Sequence, residues 1–376
     1  MFSCCFGNLI PPSRKASSSP PSSTTDVTHR KRHTQAATKR NPRTTSAMGI
    51  GRAALTSIAG RPVGPVGFGM LGLTKPWAPV DYPVAIKVMK TALEQGANFW
   101  NGGIHYGTPQ NNSLHLLKYY FEQYPEDASK VVLSIKGAFN IKTGPDGSPD
   151  GIRKSVEGAL DVLAGTKSID VFECARVDPN VPIETSVQAL AELVKEGKIG
   201  AIGLSEVGPA SIRKAHAVHP ISAVEIELSL FTPDALTDGV ADTCHELGIP
   251  IIAYSPISRG WLTGEFRTLD DLPQNDFRRM LPRFQPEVFA DNFKLVEAVE
   301  QLAKRKGVTT AQVAIGWVRR VGAIPIPGSV RIERVIENTA DVELTDDDML
   351  ELQKILDTLP IQGQRYGGAQ EKLLKA

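Results

Sequence analysis

Two residues of this sequence, a tyrosine and a lysine, could do chemistry together if the fold joined them. Tyr106 lies in the stretch Gly96-Ala97-Asn98-Phe99-Trp100-Asn101-Gly102-Gly103-Ile104-His105-Tyr106-Gly107, where a short apolar run stops among glycines. Such glycines supply the permissive backbone that a tight site loop needs, so the stretch reads as a strand end carrying a phenol that can donate a proton. A free phenol has a pKa of ~10, and a neighbouring ammonium lowers the cost of the phenolate it leaves behind. Lys136, which follows the apolar run 131–135, can be that ammonium. Taken singly, a tyrosine among glycines is commonly a turn aromatic and a strand-end lysine is commonly solvated; the chemistry needs both in one place.

What would position them is a regular alternation. Strand-like runs at 66–71, 99–100, 131–135, 169–174, 199–204, 223–228, 249–254 and 323–326 alternate with helix-period stretches at 83–95, 111–123, 151–164, 183–196, 208–217 and 234–247. An insertion at 258–291 precedes helical runs at 292–305 and 309–320, and further helices are expected at 333–338 and 345–358. Eight strands with helices between them predict an α/β fold, one (β/α)8 TIM barrel spanning 54–376. In that fold the site lies at the C-terminal ends of the strands. Those ends carry Asn101 and Tyr106, then Lys136, Ala175-Arg176, Ser205-Glu206, Glu225 and Glu227, Tyr254-Ser255, and Gly328-Ser329. A tyrosine and a lysine from adjacent strands would thus face one mouth. The Gly67-Phe68-Gly69-Met70-Leu71-Gly72 match to a dinucleotide fingerprint is rejected, because Leu73-Thr74-Lys75-Pro76 cannot open the helix that fingerprint requires.

The chain's 376 residues, 41% of them hydrophobic, suffice for a large core, and no apolar run approaches the ~18 residues of a membrane span. Cys4, Cys5, Cys174 and Cys244 form neither a metal-ligand pattern nor a disulfide framework, which fits a reducing compartment, with the cytoplasm expected. The net charge of +1 hides an asymmetry: the first 50 residues hold eight Lys/Arg and a single acid, Asp26. Ser, Thr and Pro make up 19 of the 40 residues 11–50, so residues 1–53 are expected to be a disordered basic extension. An organelle transit segment such as a mitochondrial one, a patch for nucleic acid or anionic lipid, and a lipid anchor at Cys4/Cys5 are the functions such a tail could carry; for the body no nucleic-acid partner is expected. Met48 is an alternative start.

The body resembles the aldo-keto reductase family from about 66 to 370. Phe99-Trp100-Asn101 with Tyr106-Gly107 is similar to the family's strand-two motif, and Leu133-Ser134-Ile135-Lys136 to its catalytic-lysine strand. Ile202-Gly203-Leu204-Ser205 and Ala253-Tyr254-Ser255-Pro256 resemble its cofactor strands, and Ile324-Pro325-Ile326-Pro327-Gly328-Ser329 with Glu337-Asn338 its adenosine-phosphate loop and helix. Within the family, Ala175-Arg176-Val177-Asp178-Pro179, the 258–291 insertion and Gln364-Arg365-Tyr366 look most like the fungal pyridoxal reductases.

The resemblance implies reduction of an aldehyde, pyridoxal to pyridoxine, with NADPH. Tyr106 would be the proton donor assisted by Lys136 and Asn101, and Ala175, Trp100 and His105 would border the substrate pocket. Tyr254 would stack on the nicotinamide, Ser205 and Glu225 would meet its carboxamide, and Ser255 lies in the same cofactor strand. Ser329, Arg331 and Arg334 would take a 2′-phosphate, and Glu337 and Asn338 the adenine. No metal is implied. Three positions depart from the family pattern: Asn101 stands for aspartate, Ala175 for histidine and Glu225 for glutamine. Because Asn101 brings no charge, the full field of Lys136 is expected to act on Tyr106 and to lower its pKa. Other aldehydes or ketones, or a barrel that binds NADPH as a redox sensor without turnover, are the alternative functions.

Overall fold

The computed structural model describes residues 57–374; the expected extension, 1–53, lies outside them. Each apolar run becomes a strand parallel to its neighbour because the helix that follows it lies back along the sheet and returns the chain to the same edge. The strands are β1 (Phe68–Gly69), β2 (Phe99–Gly103), β3 (Val132–Gly137), β4 (Ile169–Cys174), β5 (Ile199–Ser205), β6 (Ile221–Glu227), β7 (Ile251–Tyr254) and β8 (Ala323–Pro325). They pair in chain order, and the Gly67 and Gly69 amides close the ring by donating to Pro325 O and Pro327 O at 2.9 and 3.4 Å.

Around the strands lie α1 (Tyr82–Glu94), α2 (Ser113–Gln123), α3 (Pro149–Leu163), α4 (Ile183–Lys195), α5 (Pro209–Val218), α6 (Val240–Leu247), α7 (Pro286–Lys306), α8 (Thr310–Arg320), α9 (Ile332–Thr339) and α10 (Asp346–Thr358). Side-chain caps from Asn112, Ser148, Thr309 and Thr345 start four of them. Two expected elements differ. The stretch 234–247 is a 3-10 turn, Asp234–Leu236, followed by α6, because Gly239 at φ 92° breaks the helix. Helix α7 begins at Pro286, earlier than the expected 292, since proline suits a first helical turn. The insertion before it folds as 3-10 turns around Trp261, which is buried with the rings of Phe231, Phe266, Phe284 and Phe289 at 4.6–5.4 Å.

The two-residue period of a strand then stacks the barrel interior in layers. Its floor is apolar: Phe99, Val132, Val171, Ala201, Ala223, Ile252 and Ile324, closed by Ile58 of the hairpin Ser57–Ile58/Arg61–Pro62. Two residues further along, the same strands carry Asn101, Ser134, Glu173, Gly203, Glu225 and Tyr254. Two further still are Lys136, Ala175, Ser205 and Glu227. The residues between these, such as Trp100, Leu133, Phe172 and Val224, pack outward in the helix-side core.

Candidate active site

Tyr106 stands in the turn after β2, and its position is fixed by backbone contacts. Its N–H donates to Gly103 O at 3.1 Å, and its carbonyl accepts from Thr74 Oγ1 at 2.7 Å and from the Ser113 amide at 3.1 Å. Ser113, at the start of α2, also brackets Gly103 through its hydroxyl, at 2.9 Å from the amide and 2.8 Å from the carbonyl. A Cβ at Gly103 would come within 3.1–3.2 Å of the Tyr106 ring, so the missing side chain lets the phenol lie against the strand end. Lys136 Nζ sits 5.9 Å from the centre of that ring. The phenol and the ammonium are thus neighbours at the ends of β2 and β3.

The lysine is not alone. Its Nζ is 2.5 Å from Glu225 Oε2 and donates to Asn101 Oδ1 at 2.8 Å, while Asn101 Nδ2 donates to the same Glu225 oxygen at 2.6 Å. All three side chains are buried. The expectation of an uncompensated ammonium is therefore corrected: the charge absent from Asn101 is present on Glu225, across the barrel. Burial raises the Tyr106 pKa and Lys136 pulls it back, while Glu225 and Glu173 add to the rise and Arg176 opposes it; the net direction is up, not down. Burial also opposes the charge on Lys136, but Glu225, Tyr106 and Glu173 outweigh it and hold the ammonium above the ordinary lysine value. Burial, with Glu173, pushes the Glu225 pKa up to about 7 against the opposing pull of Lys136 and Arg176, and the two donors on its Oε2 favour the carboxylate form. Glu173, which accepts from Ser134 Oγ and leaves Oε2 buried without a partner, is pushed upward by burial. Gly203 makes room for it, since a Cβ there would meet Glu173 Cγ at 2.7 Å.

Of the residues expected at the substrate pocket, Trp100 is elsewhere. Its neighbours Phe99 and Asn101 face inward, so its indole packs outward, 5.0 Å from the Tyr120 ring, with Nε1 donating to Ala97 O at 2.9 Å. His105 does lie at the site, because 104–106 turns rather than extends; its ring meets that of Tyr106 edge-on at 4.8 Å. Burial, reinforced by Lys136 and Arg176, pushes its pKa down to about 3, so it is a neutral imidazole whose Nδ1 has no partner. Ala175 is buried at the end of β4. Next to it, Arg176 is half-buried, with a hydrogen bond to Ala175 O at 2.5 Å, and no carboxylate among the described residues is within ion-pair range of it.

A second polar cluster lies at the ends of β5, β6 and β7. Glu206, fully buried at a left-handed φ of 54°, accepts from both Arg365 guanidinium nitrogens at 3.1 and 2.7 Å, from Tyr254 Oη at 2.7 Å and from the Glu227 amide at 3.0 Å. Tyr366 Oη lies 3.1 Å from Tyr254 Oη, and the Arg259 guanidinium sits 4.3 Å from the Tyr366 ring centre. The left-handed, non-glycine residues Ala138, Glu206 and Ser255 follow β3, β5 and β7, so the strained backbone gathers at this end of the barrel.

Beside this mouth, Ser205 Oγ is buried without a hydrogen-bond partner. At the start of α9, Ser329 Oγ accepts from the Arg331 amide at 3.1 Å. Arg331 and Arg334 both pair with Glu265, which reaches over from the insertion, and Arg334 also pairs with Glu337. Glu337 Oε1 has no partner and Asn338 is buried. Two arginines beside a helix N-terminus suit an anionic group. Glu173 and Glu265 were not singled out in the sequence. The two-residue step from apolar Val171 could have marked the first, whereas Glu265 lies in an insertion without a period.

The family model for aldo/keto reductases matches residues 65–357. The chain belongs to the aldo-keto reductase family. It is 43% identical over 330 residues to a Schizosaccharomyces pombe protein named "Probable pyridoxal reductase 2", a match covering 84% of this chain and 98% of that one. It is 37% identical over 306 residues to an aldo-keto reductase of Gibberella moniliformis, covering 80% and 92%. A glycerol dehydrogenase from Gluconobacter oxydans superposes with a TM-score of 0.73 at 23% identity over 82% of this chain and 96% of that one, which shows the shared fold. This aldo-keto reductase is an oxidoreductase acting on C=O and CH–OH groups, in a family that generally uses NAD(P)H. No helix among its described residues is long and apolar enough to cross a membrane.

Proposed function

We propose that this aldo-keto reductase reduces pyridoxal to pyridoxine with NADPH, with Tyr106 as the proton donor. The carrying observation is the closeness of Lys136 to the Tyr106 ring, with the lysine held by Asn101 and Glu225. A bound nicotinamide cofactor supplies the hydride that reaches the carbonyl carbon. Tyr106 gives its proton to the carbonyl oxygen, and the Lys136 ammonium stabilises the phenolate that remains. His105 is neutral at working pH and serves to pack the Tyr106 ring. Ala175 leaves the space of a larger side chain to an aromatic substrate, and Arg176, lacking a carboxylate partner among the described residues, is placed to meet a ring hydroxyl such as pyridoxal carries.

On the cofactor side, the Tyr254 ring would face the nicotinamide, and the Ser205 hydroxyl is a free partner for its carboxamide. Glu225 could reach that carboxamide only through Oε1, since Lys136 and Asn101 occupy Oε2. Ser255 holds the turn after Tyr254 in its left-handed conformation. Ser329, Arg331 and Arg334 would bind the 2′-phosphate, and Glu337 and Asn338 would border the adenine.

The deciding experiment follows NADPH oxidation by the full chain with pyridoxal and with 4-formylpyridine, which lacks the ring hydroxyl. Turnover is expected with both, at a higher kcat/KM for pyridoxal. Equal values would remove the pyridoxal assignment, and NADPH binding without oxidation across an aldehyde panel would replace the reductase with a redox-sensing barrel. Arg334→Ala is expected to raise Kd for NADPH by about 10-fold or more, the loss of one charge-assisted contact, and to leave NADH nearly unchanged. Isothermal titration of both cofactors checks it; equal effects would move the 2′-phosphate elsewhere.

A further inference from the structure

The Lys136–Asn101–Glu225 ring contains one carboxylate and one amide, and its hydrogen bonds explain that composition. Asn101 donates to Glu225 Oε2 at 2.6 Å and accepts from Lys136 at 2.8 Å, using both ends of its amide. A carboxylate accepts only. Aspartate at 101 would therefore set two carboxylates against each other where a hydrogen bond now stands, while glutamine at 225 alone would leave a buried ammonium with an amide on either side. Exchanging the two, with aspartate at 101 and glutamine at 225, restores one carboxylate and one amide around Lys136. Because Lys136 and Asn101 now meet a single oxygen of Glu225, the glutamine must turn its amide so that its oxygen accepts from Lys136 and its NH2 donates to the aspartate. The charge that holds Lys136 thus sits on β6, and β2 supplies the amide that bridges to it.

We propose that Glu225 is the counter-ion and positioning residue of Lys136, that Asn101 is the amide bridge between them, and that the two positions are interchangeable as a pair but not singly. This rests on the reading of Tyr106 as proton donor and adds what governs it. The ionisable groups packed around the ring are Tyr106 and His105 from the loop after β2, and Glu173 and Arg176 from β4 and the turn that follows it. In Glu225→Gln the lysine's field on Tyr106 is opposed by Glu173 alone, so the phenol ionises at lower pH. In Asn101→Asp a second negative charge makes it ionise at higher pH. In the double variant the net charge returns.

The test is the titration of Tyr106, read as phenolate absorbance in the difference between each protein and its Tyr106→Phe counterpart, alongside the pH profile of kcat. The Tyr106 midpoint is expected to move down by about one pH unit or more in Glu225→Gln and up in Asn101→Asp, as for a charge gained or lost within a few ångströms. The double variant is expected to return toward the parent value, a coupling of neighbours that independent sites do not show. A midpoint unchanged in Glu225→Gln, or single-variant shifts that fail to cancel in the double, would overturn the proposal. The absorbance readout needs no turnover. The expected order of midpoints in a protein that reduces no aldehyde would sink the reductase reading alone; turnover with unmoved midpoints would sink this inference alone.

Discussion

Tyr106→Phe should lower kcat for aldehyde reduction by about 10²–10⁴-fold, the usual worth of a positioned general acid, while Kd for NADPH stays close to that of the parent. The structure makes this substitution a clean one. The ring is held edge-on by His105 and lies against the Cα of Gly103, and the loop is fixed through the Tyr106 backbone, none of which needs the hydroxyl. Only the proton is removed. The pH profile supplies a second check. The protonated phenol is the active form in reduction, so activity persists below the Tyr106 pKa and falls as pH rises through it. Burial, with Glu225 and Glu173, holds that pKa above the ordinary phenol value of ~10. The parent should show no tyrosine-linked loss of kcat between neutrality and ~10, the free-phenol value. A limb well below that, or a Phe variant with comparable kcat, would remove Tyr106 from the acid role.

That the site can be argued at this level reflects what a barrel writes into its sequence. Each strand's apolar run and the helix after it mark a strand end, and strand ends are the mouth, so the sequence alone brings Tyr106 and Lys136 to one end of the barrel. The same period settles Trp100: lying between inward Phe99 and Asn101, it must face the helices. What a linear reading cannot supply is which side chains meet across the barrel. Asn101 and Glu225 are 124 residues apart, and their contact depends on the registers of all the strands between β2 and β6. The direction of the Tyr106 pKa follows first from burial and then from Glu225, and neither can be read from the missing charge on Asn101. The insertion carries no period to read, and its reach to Arg331 and Arg334 through Glu265 comes from the aromatic packing around Trp261.

The C-terminal segment is likewise silent in period, yet one of its side chains should matter most to stability. Arg365→Met should destabilise the fold by about 3–5 kcal/mol, the cost of leaving a buried charge uncompensated. Glu206 has a fully buried side chain and Arg365 only 6% exposure, and removing the guanidinium deletes two of the carboxylate's four hydrogen bonds, leaving those from Tyr254 and the Glu227 amide. The sign of the pH dependence follows from Glu206. In the parent, burial opposes ionisation, but Arg365 and the other donors overcome it, so the folded-state pKa lies below the ordinary glutamate value. That stabilisation is fully present above the unfolded pKa, ~4.3, and fades as pH falls through the folded value. In the variant, burial dominates and the order reverses: the penalty is largest at neutral pH and is relieved once the carboxyl protonates. The stability gap between the two proteins, measured by urea denaturation, should thus be widest near neutrality and narrow in acid. Adding Glu206→Gln to Arg365→Met should recover much of the loss at neutral pH, because the stranded charge is gone. A gap that is the same at both ends of the pH range would mean that Arg365 contributes packing alone.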